Sequence, residues 1–231
     1  MDTVSFMVEF PGGNPIKKTL GFLARPKQPS KYPAVIVIHE IWGLADHIKD
    51  VATRLAQEGY VALAVDLFDR KLVTKLEEGR EIRQALTEEK IMGDLNGAFN
   101  YLTTLDYVVP NRIGSMGFCM GGGLSLLLAC RNSALAAAVI FYGRNPTPID
   151  LVKNIPCPIL GNYAGADKGI TESDISLLKQ TLAKHGKEFD IKVYPGAPHA
   201  FFNDARESYR PEAAKNAWER TLAFFNKNLK Q

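Results

Sequence analysis

Ala34-Val-Ile-Val-Ile38 runs apolar for five residues without a polar interruption. An alternating strand can leave one face to water; a continuous one must be covered on both faces, which in practice means a parallel sheet between helices. The pattern returns at Tyr60–Val65, Ile113–Phe118, Ala136–Tyr142 and Ile159–Tyr163, with a last strand expected over Asp190–Tyr194. Between these runs the apolar period lengthens to that of a helix. From Asp46 to Glu58, Ile48, Val51, Ala52, Leu55 and Ala56 share one face, and Gly59 closes the segment. A longer helix buries Ile91, Leu95, Ala98, Phe99 and Leu102, another covers Glu172–His185, and Pro211 opens a last one with Ala214, Trp218, Leu222 and Phe225 inward. Residues 3–10 and 17–25, split by Pro11-Gly-Gly-Asn-Pro15, read as an antiparallel hairpin at a sheet edge. The expectation is a single α/β domain over residues 1–231, with a mostly parallel central sheet and helices on both faces.

Composition narrows the function. A net charge of +3 with interspersed signs in 231 residues offers neither a nucleic-acid stripe nor a membrane-binding face. No apolar run approaches a membrane span. The start, Met-Asp-Thr-Val-Ser-Phe, lacks the basic and apolar regions of a signal peptide. Three cysteines, Cys119, Cys130 and Cys157, make neither a disulfide framework nor a metal knuckle. A reduced, cytoplasmic protein follows, with no cofactor, no nucleic acid and no membrane among its partners. Residues 69–90, dense in both charge signs, read as solvated helix surface and are also where a lid would lie.

The chemistry concentrates in Asn111–Ser125. A short apolar run meets a small-residue and leucine run at Gly117-Phe-Cys119-Met-Gly121, the G-x-nucleophile-x-G pattern of a nucleophile elbow with cysteine in place of serine. Such a turn lifts the sulfur clear of the sheet and sets it at a helix N-terminus, which favours a thiolate. The glycines fit neither a phosphate-binding G-x-x-x-x-G-K-[ST] loop nor a dinucleotide fingerprint. Asp167 follows the strand at 159–163, and His199 follows the last strand in Pro195-Gly-Ala-Pro-His199. Nucleophile, acid, histidine is the chain order of α/β-hydrolases. In that arrangement His199 moves the proton, Asp167 fixes its tautomer, and Cys119 forms a thioester. The amide of Met120 and one from the loop after Ile38 would bind the oxyanion. That loop reads His39-Glu40-Ile41-Trp42-Gly43-Leu44. His39 is a weaker candidate base than His199, since a histidine at a buried strand end is commonly structural. Glu40 stands out because a carboxylate at an oxyanion loop is costly unless it is solvated or paired. His47 and His185 read as solvated, and Cys130 and Cys157 as packing.

With these motifs the chain resembles the dienelactone hydrolase (carboxymethylenebutenolidase) family, a cysteine-nucleophile branch of the α/β-hydrolases. The resemblance rests on His39-Glu-Ile-Trp-Gly-Leu44, Asp66-Leu-Phe-Asp-Arg70, Gly117-Phe-Cys-Met-Gly-Gly122, Gly165-Ala-Asp167 and Pro198-His-Ala-Phe201. It implies opening of a cyclic enol ester, the dienelactone, to maleylacetate. It further implies that Glu40 holds the resting thiol and helps deprotonate Cys119, that the amides of Ile41 and Met120 form the oxyanion site, and that Arg70 holds a substrate carboxylate. One departure is visible. Degradative members carry a second arginine soon after the histidine, whereas here Phe201-Phe-Asn203 follow and the next arginine is Arg206. A general carboxylesterase or thioesterase on the same triad, a non-catalytic hydrolase-like binding protein and a thiol redox sensor are the other readings.

Overall fold

The computed structural model describes residues 1–230. Eight strands form one sheet in the order β1-β2-β4-β3-β5-β6-β7-β8. They are β1 (Thr3–Phe10), β2 (Thr19–Pro26), β3 (Tyr32–Ile38), β4 (Val61–Asp66), β5 (Val108–Phe118), β6 (Ala137–Phe141), β7 (Ile159–Ala164) and β8 (Phe189–Tyr194). The helices are α1 (Asp46–Gln57), α2 (Leu76–Ala85), α3 (Glu88–Thr103), α4 (Met120–Arg131), α5 (Glu172–Lys184) and α6 (Pro211–Leu229), with a 3-10 turn at Ile149–Asn154. The chain divides into two compact units, Met1–Ile113 and Gly114 onward, and β5 carries it from one to the other.

In the first unit the hairpin stands as expected: β1 pairs antiparallel with β2, from Thr3 opposite Pro26 to Phe10 opposite Thr19. β2 is antiparallel to β4, and β3 runs parallel to β4. All of Ala34–Ile38 is buried, as a strand covered on both faces must be. The five residues assigned to the inner face of α1 are all buried; each large one contributes about 1.5–3 kcal/mol of transfer free energy. α3 buries its five predicted residues and also Asp94, whose carboxylate accepts from Thr19 Oγ1 and the Gly13 amide and pairs with Lys90. The charged segment forms α2, which is exposed apart from Gly79 and a few half-buried residues.

In the second unit β5, β6, β7 and β8 pair in parallel, so their carboxyl ends point one way. Two local readings need correction. β5 begins five residues before the apolar run, at Val108, because Val109–Arg112 extend it with largely solvated residues that leave no periodic signal. On α6 the buried face is Ala214, Ala217, Thr221, Phe225 and Leu229, while Trp218 and Leu222 are only half-buried. Thr221 is tolerated inside because its hydroxyl donates to the Ala217 carbonyl one turn back. His185 is not simply solvated either: its Nε2 lies 2.9 Å from Asp150 Oδ1. Cys130 and Cys157 are buried, and both thiols are pushed up to about 12 by burial.

Candidate active site

β5 ends at Phe118 and α4 starts at Met120, so Cys119 makes the whole turn alone, with φ 55° and ψ −114°. A non-glycine residue held there is strained, and the surroundings over-determine it. The Cys119 amide donates to the Phe141 carbonyl at 3.0 Å, and its own carbonyl accepts from Gly123 at 3.2 Å. The neighbours must lack side chains: a Cβ on Gly117 would run into the Gly121 carbonyl, and one on Gly122 would strike the Phe141 carbonyl and Gly143. The sulfur-bearing residue is half-buried. Met120 opens α4, so its N–H has no partner within the helix.

The other two residues reach the same place from β7 and β8. Asp167 has a side chain only 3% exposed. Its Oδ1 accepts from the amides of Gly169 (2.8 Å) and Ile170 (3.2 Å), and its Oδ2 accepts from His199 Nδ1 at 2.5 Å. Backbone bonds from Gly165 to Tyr194 and from Ala166 to Ala197 tie the two loops together. A capping box at Thr171 and Asp174 starts α5 just past the aspartate, worth about 1 kcal/mol. The Cys119 side chain also acts on the His199 imidazole and raises it. With Nδ1 taken by Asp167, Nε2 is the nitrogen left for the sulfur. Asp167 and His199 are thus joined by a hydrogen bond, and the Cys119 side chain lies close enough to act on the same imidazole.

The electrostatics follow from those bonds. Burial pulls the His199 imidazole down, but the bonds to Asp167 and Cys119 outweigh it and push it up to about 10. Burial pushes the Asp167 carboxyl upward, and the His199 bond with the two amides more than reverses this, leaving it below its usual value. The imidazole also rests against Tyr142, ring centroids 5.1 Å apart at 61°, and Tyr142 in turn packs edge-on to Phe201 at 5.4 Å. Tyr142 is fully buried with φ 40°, a second strained residue at a strand end.

The first unit holds the remaining predicted residues. His39 is fully buried; its Nε2 accepts the Leu67 amide at 3.1 Å and its Nδ1 sits 2.5 Å from the Glu40 carbonyl. Accepting at Nε2 requires the proton on Nδ1, so the ring is neutral, and burial lowers its pKa. Both nitrogens serve the backbone, which makes His39 structural. Glu40 is buried at 2% exposure and Ile41 at 9%. Their loop carries α2: Gly79 lies against the Ile41 carbonyl so closely that a Cβ there would come within 2.5 Å of it. Asp66 shapes the following turn, accepting from the amides of Phe68 (3.0 Å) and Arg70 (2.6 Å), with Asp69 and Arg70 both at positive φ. The Arg70 side chain is 68% exposed and reaches Glu9 at 3.3 Å. A cavity of about 400 Å³ lies between this turn and α2, lined by Lys17, Phe68, Lys71, Ile82 and Leu86 among others, and none of the triad lines it.

Sequence reasoning passed over Tyr142, which packs on His199, and Arg144 two residues later, which reaches the Asp167–Gly169 loop. The signal was available, since both follow the carboxyl end of β6, the edge where ligands gather in parallel sheets. Arg206, the arginine nearest after His199, is exposed in a loop whose backbone bonds run from Arg206 to Asn203 and from Tyr209 to Arg206. Among the described residues no cluster of histidine, cysteine and carboxylates could hold a metal ion, and no helix is long and apolar enough to cross a membrane.

Comparison with known proteins agrees with this architecture. The family model described as "Dienelactone hydrolase family" matches residues 20–229. A protein of Saccharolobus solfataricus assigned as a carboxymethylenebutenolidase is 39% identical, over 91% of this chain and 94% of that one. A Bradyrhizobium protein assigned as a 2-oxo-3-(5-oxofuran-2-ylidene)propanoate lactonase is 34% identical, over 91% and 90%. The crystal structure of a Klebsiella pneumoniae protein assigned as a dienelactone hydrolase superimposes with a TM-score of 0.87 at 31% identity, covering 97% of this chain and 99% of that one. On fold, family model and relatives together, the chain belongs to the dienelactone hydrolase family, hydrolases of ester and lactone bonds with the α/β-hydrolase fold.

Proposed function

We propose that this protein opens small carboxylic ester or lactone bonds by acylating Cys119. The observation that carries the reading is the line from Asp167 Oδ2 through His199 to the Cys119 thiol at a strained strand-to-helix turn. His199 Nε2 holds the proton drawn from the Cys119 thiol, and the thiolate attacks the acyl carbon. Asp167 keeps the proton on Nδ1 and stabilises the imidazolium. The tetrahedral oxyanion is bound by the amides of Met120 and Ile41. Collapse expels the alkoxide, which takes the proton from His199 and leaves a thioester on Cys119. Water then enters; His199 removes its proton, hydroxide attacks the thioester, and thiolate leaves with release of the acid. Glu40 is assigned the task of assisting deprotonation of Cys119, and Arg70 that of holding a substrate carboxylate.

A dienelactone opened to maleylacetate is the substrate reading that the family favours, and the Bradyrhizobium relative is assigned to a lactone that also carries a carboxylate. A general carboxylesterase or thioesterase on the same residues is the second reading, favoured by one observation: the Arg70 guanidinium is largely exposed and held by Glu9. The proposal takes residues 1–231 as one domain and places it in the cytoplasm, where a working thiol stays reduced. Incubation with a p-nitrophenyl ester, followed by intact-protein mass spectrometry, tests the core of it. One acyl group per chain is expected on the wild type and none on Cys119→Ala; acylation that survives in Cys119→Ala would overturn the assignment.

A further inference from the structure

We propose that Arg144 is a specificity-determining residue whose guanidinium binds a carboxylate-class anion on the ester or lactone that acylates Cys119. The inference rests on the reading of Cys119 as nucleophile and deepens it by naming a substrate class.

Arg144 is placed by the elbow itself. The chain leaving β6 runs directly over the first turn of α4: Phe141 accepts the Cys119 amide, Gly143 lies against Gly122, and a Cβ on Gly123 would sit 3.1 Å from the Arg144 carbonyl. The segment is fastened on both sides. The Tyr142 amide donates to the Asn162 carbonyl at 2.8 Å, and Asn145 Nδ2 donates to the Asp174 carbonyl at 2.8 Å. The Arg144 backbone is therefore as fixed as the nucleophile's own turn. Its side chain extends to the loop that carries Asp167: the Cβ position of Gly169 lies 3.5 Å from Asp167 Oδ1 and 3.8 Å from Arg144 Nη2. The guanidinium thus reaches the Asp167–Gly169 loop from within the same unit.

What it lacks is a partner. Arg144 is exposed and, among the described residues, makes neither an ion pair nor a side-chain hydrogen bond. The carboxylate that feels its charge is Asp174, whose Oδ2 already accepts the Thr171 amide and hydroxyl in the α5 capping box. Asp167 turns Oδ1 to two amides and Oδ2 to His199. Lys168, exposed beside it and likewise without an ion pair, adds a second positive charge to this rim. An arginine anchored at its backbone over the first turn of the nucleophile's helix and open at its fork is suited to bidentate capture of a planar anion. Arg70, by contrast, already has Glu9.

The test compares hydrolysis of mono-p-nitrophenyl glutarate, which carries a free carboxylate, with p-nitrophenyl butyrate, which does not. Arg144→Gln is expected to lower kcat/KM for the glutarate by about tenfold or more, the usual scale for a lost charged hydrogen bond, and to change the butyrate by less than about threefold. Arg144→Lys should recover part of the loss. Equal losses on both esters, or no loss on either, would overturn the proposal, as would a selective loss seen in Arg70→Gln and absent from Arg144→Gln. A wild type that turns over butyrate but not the glutarate ester would overturn it too. Failure of the parent reading looks different: Cys119→Ala would then retain full turnover of both esters.

Discussion

Asp167, read from its place after a strand, and Arg70, implied by the family resemblance, are treated oppositely by the fold. Asp167 has a short side chain, 3% exposed, with each carboxylate oxygen bonded to a fixed donor. Arg70 has a long one, 68% exposed, with a single 3.3 Å contact to Glu9. The backbone of Arg70 is pinned by Asp66, but its charge is not. On the proposed mechanism the groups that move protons are held by main-chain donors, whereas the group that recognises substrate hangs on a flexible stem whose partner can be exchanged. The proton-handling half should therefore break abruptly when altered, and the recognition half gradually.

The sharpest break is expected at the triad. Cys119→Ala and His199→Ala should lower kcat by about 10⁴-fold or more, and Asp167→Asn should leave weak activity, roughly 10³-fold down, because the wrong tautomer of His199 is then favoured. Steady-state hydrolysis of an aryl ester measures all three. Cys119→Ala retaining full rate would dissolve the contrast altogether.

Next comes pH. His199 is raised in the fold by Asp167 and Cys119, so the imidazolium that protonates the leaving alkoxide persists above the usual histidine range. The alkaline limb of kcat/KM should fall near pH 10, where a free imidazole would place it near 6.5. In Cys119→Ala the sulfur's contribution is gone, and the His199 titration followed by NMR should move down. The linked stability has the same sign: the His199 contribution is complete below its unfolded pKa and is lost as pH rises through about 10. The contribution of Asp167, whose folded pKa is depressed, is present above its unfolded value and is lost as pH falls below it.

The smaller effects belong to the recognition half. Gly79→Val places a side chain on the Ile41 carbonyl, so α2 should lift from its loop. A lower Tm and faster proteolysis within residues 69–90 are the expected readouts. Arg70→Gln should raise the Michaelis constant for an acidic lactone severalfold and leave a neutral aryl ester nearly unchanged; equal effects on both would remove Arg70 from recognition.

Much of this was legible because burial on two faces and helical period leave plain marks. The inner face of α1 was readable residue by residue, and so was the strand–Cys119–helix junction. The order Cys119, Asp167, His199 was readable because each follows the carboxyl end of a strand. What escaped was set by contacts rather than pattern. Thr221 sits inside α6 only because its hydroxyl finds the Ala217 carbonyl, and Trp218 is then rotated to the margin. The start of β5 is a strand of solvated residues with no period. Tyr142 and Arg144 belong to no motif; they matter because the chain leaving β6 rides on the nucleophile's helix, a fact of three dimensions.

His39 carries a last consequence. Its ring is fastened at both nitrogens to main-chain groups, one giving and one accepting. It can take up a proton only by tearing loose from the Leu67 amide, so it should stay neutral through an acid titration well below the ordinary histidine range. The loop bearing Glu40 and Ile41 is thus pinned at its first residue by an aromatic rivet, and protonating that ring would cost the loop its tie to the Leu67 turn.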